Sequence, residues 1–147
     1  MTKITVTAAV LGLTALGLAV PAAAQATETT VAGPGCADKW GPRDGRLYAW
    51  DEPDCQGPLL PVPYSGTWSP AADNRASSVM NRAYTGGLDH AALYDKPDRS
   101  GGHICLAPGE LYADDLTDDR FTDGTPVNNA ISAHGWVNRS TCGAFLT

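Results

Sequence analysis

Basic and aromatic residues are both scarce in this chain of 147 residues, and each shortage narrows the range of functions. Ten lysine and arginine residues stand against 16 aspartate and glutamate residues, so the formal net charge is −6. Such an acidic chain is poorly suited to bind the phosphates of a nucleic acid or an anionic membrane surface. Only 7% of the residues are aromatic, while 16 Gly and 11 Pro interrupt the sequence. This composition favours one domain of short strands joined by turns over a helical bundle.

The sequence signatures of common enzymes are also missing. The chain has no H-E-x-x-H pair of zinc ligands, no G-x-S-x-G nucleophile turn and no phosphate-binding glycine loop. Its three histidines, His90, His103 and His134, are far apart in sequence. The acidic stretch 113–125 contains five aspartates, but an acid/base pair requires a desolvated carboxyl group. We therefore predict a protein that binds and is not an enzyme.

An export signal is predicted at the N-terminus. Residues 1–26 contain one early cation, Lys3, then an apolar stretch over 8–20, and then a run of small residues. The apolar stretch is too short to span a bilayer. Cleavage is predicted before Gln25 or before Thr27, since both sites have alanine at positions −3 and −1. The expected product is a secreted, extracellular protein without membrane association.

After a flexible leader over 27–35, the sequence predicts one domain over 36–147 that contains all four cysteines. Export brings these cysteines into an oxidising compartment, where two disulfides are expected. Four cysteines allow three pairings, and we favour the one in which each bond attaches a terminal segment to the body of the domain. The favoured bonds are Cys36–Cys55 and Cys105–Cys142. No two cysteines have the close spacing of a zinc site.

A repeat with a spacing of 44 residues occurs in the middle of the chain. Residues 50–57 read WDEPDCQG and residues 94–101 read YDKPDRSG, so four of the eight positions are identical. In both copies an aromatic residue leads, aspartate and proline set a turn, and glycine closes it. Each copy predicts a bent hairpin of two antiparallel strands.

A second repeated element follows each hairpin. Residues 73–78 read DNRASS and residues 128–133 read NNAISA, with two Asx residues and a hydroxyl group at matching places. The second copy lies 11 residues further from its hairpin, and the acidic stretch 113–125 is the expected insertion, interpreted as a solvated loop. A single helical turn is expected near 113–116. Further strands are predicted at the segments 59–62, 78–83, 103–106 and 130–137.

These repeated elements resemble the pair of Greek-key motifs in microbial βγ-crystallin domains. The implied fold class is all-β: a βγ-crystallin-like sandwich of two Greek-key motifs, linked by disulfides. Within that fold, the export signal, the four cysteines and the segment ICLAPGE at 104–110 resemble secreted actinobacterial proteins of peptidase inhibitor family 36. The resemblance covers about residues 47–136.

The resemblance implies calcium binding, because crystallin-type domains hold the ion with oxygen atoms of their Asx-Asx-x-x-Ser loops, each loop working with the opposite motif. Hard oxygen ligands suit calcium. Carried over by position, the ligands are the side chains of Asp73, Asn74 and Ser77 for one site and those of Asn128, Asn129 and Ser132 for the other, with the carbonyl oxygens of Arg75 and Ala130 as further donors. The second loop has no carboxylate, and Ala133 stands where a serine is expected, so one weak site is indicated before two. Alternatively, these polar residues only form turns.

The resemblance also implies that a rigid loop inhibits a secreted protease. In the metalloproteinase inhibitor of this family the reactive bond follows a cysteine, which points to the bond between Cys105 and Leu106. No second cysteine closes a short loop around that bond. Alternatively, both residues belong to a core strand beside a structural disulfide.

Four tryptophans lead to a further hypothesis. Trp50 and Trp136 have structural places in the repeats, whereas Trp40 and Trp68 lie among glycine and proline residues and are expected to be free. Flat exposed rings stack on sugars or contact proteins.

Taken together, the export signal and the family resemblance predict a secreted, monomeric protein of the peptidase-inhibitor type. The alternative is a calcium-binding extracellular structural or carbohydrate- and cell-wall-binding module without a protease target.

Overall fold

Seven short strands dominate the computed structural model, which describes residues 33–147. They are β1 (Leu47–Trp50), β2 (Gly66–Thr67), β3 (Ser78–Asn81), β4 (His90–Tyr94), β5 (His103–Leu106), β6 (Tyr112–Ala113) and β7 (Ala133–Val137). In this part of the chain, helix is limited to the single turn α1 (Cys36–Lys39) and a 3-10 turn at Arg139–Thr141. Neither is long and apolar enough to cross a membrane. The predicted signal segment 1–26 lies outside the described residues.

Two antiparallel sheets build the domain, with strand orders β1-β3-β6 and β2-β7-β4-β5. Strands β1 to β3 form the first half of the chain, and β4 to β7 form the second. One strand of each half crosses to the other sheet: β2 pairs with β7, and β6 pairs with β3. The structure is therefore a sandwich of two interlocked Greek keys, which confirms the predicted all-β, βγ-crystallin-like fold class.

The leading aromatic residues of the two hairpins occupy matching places. The carbonyl oxygen of Trp50 accepts the N–H of Ser77 at 2.9 Å, and that of Tyr94 accepts the N–H of Ser132 at 2.8 Å. Each hairpin is thus attached to the Asx-containing loop of its own half. The repeat found in the sequence corresponds to a repeat in space.

Some predicted elements differ from the observed ones. Segment 59–62 forms only a single bridge, between Trp50 and Leu59, because Pro61 and the flanking Pro58 and Pro63 lack the N–H groups that a strand ladder needs. The helical turn expected near 113–116 is not formed. Its first residue belongs to β6, and the carbonyl oxygen of Asp114 accepts the N–H of Asp54 at 2.6 Å.

The main core lies between the two sheets. Alternate residues along the strands point into it, as the period of two in a strand requires. Strand residues in this core are at most 3% exposed: Leu47, Ala49, Val79, Ala91, Leu93, Ile104, Leu106 and Ala113. Trp68 lies in the same core and is 3% exposed, so the prediction that its ring is free was wrong.

A smaller cluster packs beside the main core and includes α1. It joins the Cys36–Cys55 disulfide to Trp50 and Met80, with Trp40 packed against them. A four-residue helix is unstable alone, so the disulfide and this packing hold it in place. The guanidinium groups of Arg43 and Arg82 lie 5.4 and 6.0 Å from the Trp40 ring centroid. Trp40 is therefore partly buried and in contact, contrary to the expectation.

Both disulfides have the pairing that the sequence favoured, Cys36–Cys55 and Cys105–Cys142. They close loops with sequence separations of 19 and 37 residues, and each contributes about 3–4 kcal/mol by loop-entropy reasoning. Residues of the expected flexible leader are also attached. The carbonyl oxygens of Gly33 and Pro34 accept the Nε2–H of Gln56 at 3.2 and 2.8 Å.

The acidic stretch of the second half is anchored to the core, although a solvated loop was expected. Leu116 is fully buried, Phe121 is 2% exposed and Asp119 is 8% exposed. Trp68 follows β2 and Leu116 follows β6, so the two buried residues have corresponding places in the two halves. Trp68 precedes Asp73 by five positions, whereas Leu116 precedes Asn128 by twelve. Part of the insertion thus lies where the sequence placed it. Its apolar side chains fold inward, and most of its aspartates remain exposed.

The hairpin glycine of the first repeat predicts a measurable loss of stability on substitution. Gly57 has a φ of 66°, and a Cβ atom there would lie 2.7 Å from Asp51 Oδ1 and 2.9 Å from Glu52 Cγ. We expect Gly57→Ala to lower the free energy of unfolding by about 1–3 kcal/mol, measured by urea denaturation. The control is Gly109→Ala, because a Cβ atom there meets no atom within 4 Å. Equal stability of the two variants would contradict this account of the turn.

Candidate functional site

The two Asx-containing loops meet each other across the halves of the domain. Asn74 and Asn129 are in the left-handed region, with φ of 57° and 55°, which asparagine tolerates better than most residues. The N–H of Asn74 donates to Ile131 O at 3.0 Å, and the N–H of Asn129 donates to Ala76 O at 2.9 Å. Each loop is therefore held in shape by the loop of the other half.

The side chains of these loops form two equivalent clusters. In the Asn74–Ser132 cluster, the Ser132 hydroxyl donates to Asn74 Oδ1 at 3.4 Å. In the Asn129–Ser77 cluster, the Ser77 hydroxyl donates to Asn129 Oδ1 at 3.3 Å. The sequence grouped each asparagine with the serine of its own loop, but the structure pairs it with the serine of the opposite loop.

The first Asx residue of each loop has an unsatisfied oxygen. Asp73 Oδ1 and Asn128 Oδ1 are both buried and have no hydrogen-bond partner among the described residues. A buried polar atom without a partner costs about 1–3 kcal/mol, so these two oxygens are suited to a ligand. The carbonyl oxygens of Arg75 and Ala130 also accept no backbone N–H in the described part of the chain. Oxygen donors left free beside the two clusters fit the chemistry of calcium.

The serine that the second loop lacks has a structural part in the first loop. Ser78 Oγ accepts the N–H of Cys55 at 3.0 Å and donates to Glu52 O at 2.7 Å, so it ties the first hairpin to its loop. Ala133 occupies the corresponding place and has no hydroxyl group. With alanine at position 133, the second hairpin therefore lacks the attachment that Ser78 gives to the first, while Ser132 keeps its place in the cluster.

Arg75 closes the first loop on its exposed side. Its guanidinium donates to Ala71 O at 2.9 Å and to Asp51 Oδ2 at 2.6 Å. The side chain is 45% exposed, so this ion pair adds little stability but orients Asp51. The side chain of Arg75 is thus engaged away from the clusters, and only its carbonyl oxygen is suited to hold a cation.

The bond between Cys105 and Leu106 lies inside β5, and neither residue is exposed. The C-terminal segment covers the strand: the N–H of Cys105 donates to Ala144 O, and the N–H of Leu146 donates to Cys105 O, both at 2.9 Å. A protease cannot reach this bond in the folded domain. The structure therefore argues against the expected reactive bond and matches the alternative of a core strand beside a disulfide.

The described residues contain no group of three or more His, Cys, Asp or Glu side chains arranged to hold a metal. The most perturbed carboxyl group in them is that of Asp119. Burial, together with the charges of Asp118 and Asp115, raises its pKa to about 6. Its Oδ2 has no hydrogen-bond partner among the described residues, which leaves the ionised form of this carboxyl group without stabilisation at that atom.

A buried pair beside the Asn74–Ser132 cluster was not foreseen from the sequence. Trp68 Nε1–H donates to His134 Nδ1 at 2.9 Å, and His134 Nε2–H donates to Tyr64 O at 3.0 Å. The backbone N–H of Trp68 also donates to Ser132 O at 2.9 Å. These bonds fix a neutral His134 with its proton on Nε2. The alternation along β7, which places His134 on the face of Trp136, was the only sequence signal for it.

Two solved structures resemble this chain. The N-terminal domain of protein S is 22% identical, with a TM-score of 0.42, over 63% of this chain and 96% of that domain. A protein from work on the evolution of the eye lens βγ-crystallin domain fold is 20% identical, with a TM-score of 0.45, over 67% of this chain and 93% of that protein. No protein-family model and no curated protein matches the chain. Similarity at this level concerns the fold alone, and the interlocked Greek keys rest on the strand pairing described above.

The neutral state of His134 predicts a pH-dependent stability. Burial holds its pKa at about 4, below the usual 6.5, and the Arg99 charge also lowers it. The unfolded chain therefore binds a proton between pH 6.5 and 4 that the folded chain does not, so the free energy of unfolding falls by about 3 kcal/mol as pH falls through this range. Denaturation at a series of pH values should show that His134→Gln removes this loss.

The control for that experiment is His103→Gln, which removes a histidine from β5 without touching Trp68 or Tyr64. Asp119 titrates in the same range with the opposite sign, because its raised pKa favours the folded state as pH falls. The comparison between variants is therefore the measurement that matters. An unchanged pH slope in His134→Gln would contradict the neutral tautomer described here.

Proposed function

We propose that this protein is an exported, non-catalytic module that binds calcium weakly through its paired Asx-containing loops. The observation that supports this most is the cross-loop pairing of Asn74 with Ser132 and of Asn129 with Ser77. An ion held at either cluster would contact both halves of the domain. Calcium would therefore act as a stabiliser of the folded state.

The ligand chemistry favours low affinity. Calcium takes six to eight oxygen ligands, and its affinity increases with their negative charge. The clusters offer amide, hydroxyl and carbonyl oxygens, and Asp73 is the only carboxylate among the first Asx residues of the two loops. Affinities of about 10⁻⁴–10⁻³ M are typical of extracellular calcium modules. We propose that the Asn74–Ser132 cluster, next to Asp73 in the chain, is filled before the Asn129–Ser77 cluster.

Export of the protein is part of this proposal. The two disulfides of the domain would persist in an oxidising compartment and are uncommon in a reducing one. Calcium is abundant outside cells, so a site of millimolar affinity has a use there. The predicted signal segment supports the same compartment.

Calcium titration tests the site directly. At a tenfold excess over the dissociation constant, calcium should stabilise the protein by about 1.4 kcal/mol, which raises the Tm by about 4 °C. Asp73→Asn should remove most of this shift and of the calorimetric heat, because it removes the only carboxylate of the two Asx-containing loops. Magnesium should give a smaller shift, since it requires a tighter octahedral shell.

Glu110→Gln is the matched control for Asp73→Asn, because it also removes one negative charge and lies on the exposed turn before β6. A shift that Glu110→Gln reduces as much as Asp73→Asn does would indicate a general charge effect. Absence of any heat or thermal shift at millimolar calcium would refute the proposal. The loops would then serve as turns only.

We propose protease inhibition as a second function, with the exposed loop of the first hairpin in place of the buried Cys105–Leu106 bond. Inhibition requires a loop held rigidly on both sides. Asp54 and Cys55 are in the left-handed region, Cys55 is joined to Cys36, and Asp54 donates to Asp114 O. Glu52, Pro53 and Asp54 are exposed. These features support a rigid loop that a protease can reach.

A panel of secreted metallo- and serine proteases tests this second function. Stoichiometric, slowly reversible inhibition that is lost when Cys36 and Cys55 are both changed to Ser would support it. Changing Cys105 and Cys142 to Ser is the comparison, because that disulfide lies away from the first hairpin. Rapid cleavage of the protein, or indifference of every protease, would eliminate inhibition without affecting the calcium proposal.

A further inference from the structure

An open groove of about 310 Å³ lies on the surface of the domain, and no residue of the Asx-containing loops lines it. Four separate parts of the chain line it: the segment before β1, the turn after the first hairpin, the connection between β3 and β4, and the end of β7. Its walls are mainly rings and apolar side chains, with glycine between them: Tyr64, Tyr84, Leu88, Trp136, Gly45 and Gly86. This composition is typical of a small-ligand site.

The most exposed apolar residues of the described chain gather in this groove. Tyr64, Tyr84 and Leu88 are 64%, 65% and 59% exposed, and only one other large apolar residue of the described part, Leu59, is comparably exposed. Scattered apolar residues on a surface need no explanation, but several in one concave patch mark a contact surface.

The wall formed by Tyr64 and Trp136 is held rigidly from below. The carbonyl oxygen of Tyr64 accepts two ring N–H groups, His134 Nε2–H and Trp136 Nε1–H, both at 3.0 Å. The Tyr64 and Trp136 rings are 6.4 Å apart and tilted by 55°. The buried His134 also accepts from Trp68, so the exposed Tyr64 and the partly buried Trp136 are attached to a hydrogen-bonded core. Such preorganisation lowers the entropy cost of binding.

Glycines shape the opposite wall. Gly45 has a φ of 81°, and a Cβ atom there would lie 3.0 Å from the Tyr84 ring, so the ring lies close against the backbone. Gly86 and Gly87 also have positive φ, and Asp89 Oδ2 accepts the N–H of Gly86 at 2.8 Å. The turn that carries Tyr84 toward Leu88 is therefore a defined structure and not a loose loop.

The chemistry of the lining indicates the class of ligand. No acidic or basic side chain lines the groove, so an ionic ligand gains no partner there. Rings offer flat faces to C–H groups, and tyrosine hydroxyls offer hydrogen bonds at the rims. A neutral sugar ring has both an apolar C–H face and hydroxyl groups around its edge. A peptide that binds by strand addition needs a free strand edge, whereas this groove is lined by turns and side chains.

We propose that this groove binds a neutral glycan, with sugar rings stacked on Tyr64, Tyr84 and Trp136. This function is independent of calcium at the Asx-containing loops. It also differs from the sugar binding considered for Trp40 and Trp68, because those two rings are taken up by the structure. The location is new: two tyrosines and one tryptophan from three distant parts of the chain.

Binding to cellohexaose, chitohexaose and xylohexaose, measured by calorimetry and tryptophan fluorescence on the purified protein, tests the proposal. We expect at least one of the three to bind, and Tyr64→Ala and Tyr84→Ala each to weaken that binding about tenfold or more. Tyr→Phe at either position keeps the ring and should weaken it only a few-fold. The matched control is Leu59→Ala, which truncates an exposed apolar residue outside the groove. Thermal unfolding of each variant checks that the fold is intact.

Each result has a defined meaning. Binding that Tyr64→Ala and Tyr84→Ala reduce and Leu59→Ala leaves unchanged supports the proposal. Failure of all three oligosaccharides to bind overturns it, as does binding that survives both tyrosine variants. Binding of an oligoproline peptide without any sugar binding, or self-association that Tyr84→Ala abolishes, also overturns it, because the groove would then serve a protein partner.

Discussion

The exchange of one strand between the two halves, β2 for β6, is the constraint on which the rest of this structure depends. Strand β2 completes the sheet of the second half, and β6 completes the sheet of the first. The core between the sheets is therefore shared, and neither half can bury its apolar face alone. The same exchange brings the two Asx-containing loops together, because each loop leads from an exchanged strand back to its own sheet. Architecture and candidate ion site are thus consequences of one topological feature.

Much of the fold was accessible from sequence because the domain is built twice. The repeated hairpins and loops predicted a pair of Greek keys, and alternation predicted β5 with its observed bounds. Local rules failed where distant contacts decide. The four-residue α1 depends on the Cys36–Cys55 disulfide, and its sequence has no helical signal of its own. Trp68 has glycine and proline neighbours typical of a surface turn, yet its indole N–H donates to His134, which lies 66 positions away in the sequence.

The candidate sites show the same division between local and distant information. The sequence identified every residue of the Asx-containing loops but grouped them by loop, because the crossing of the two loops is a property of the fold. It could not indicate the groove, whose rings come from positions 64, 84 and 136 and have no common motif. It misread the acidic insertion, since charge composition does not reveal that Leu116 and Phe121 anchor the stretch to the core. The spacing of residues in a sequence can therefore predict a site whose residues are close together in the chain.

The attachment of the C-terminal segment to β5 affects how copies of this protein behave together. An open outer strand is a template on which a second chain can add its own strand and begin an aggregate. Here residues 144–146 form hydrogen bonds with the backbone N–H and carbonyl oxygen of Cys105. The Cys105–Cys142 disulfide keeps the C-terminal segment attached to this strand. Trimming of those few residues, or reduction of that one bond, would open the edge. Loss of this C-terminal contact would thus promote aggregation of the protein as well as lower its folding stability.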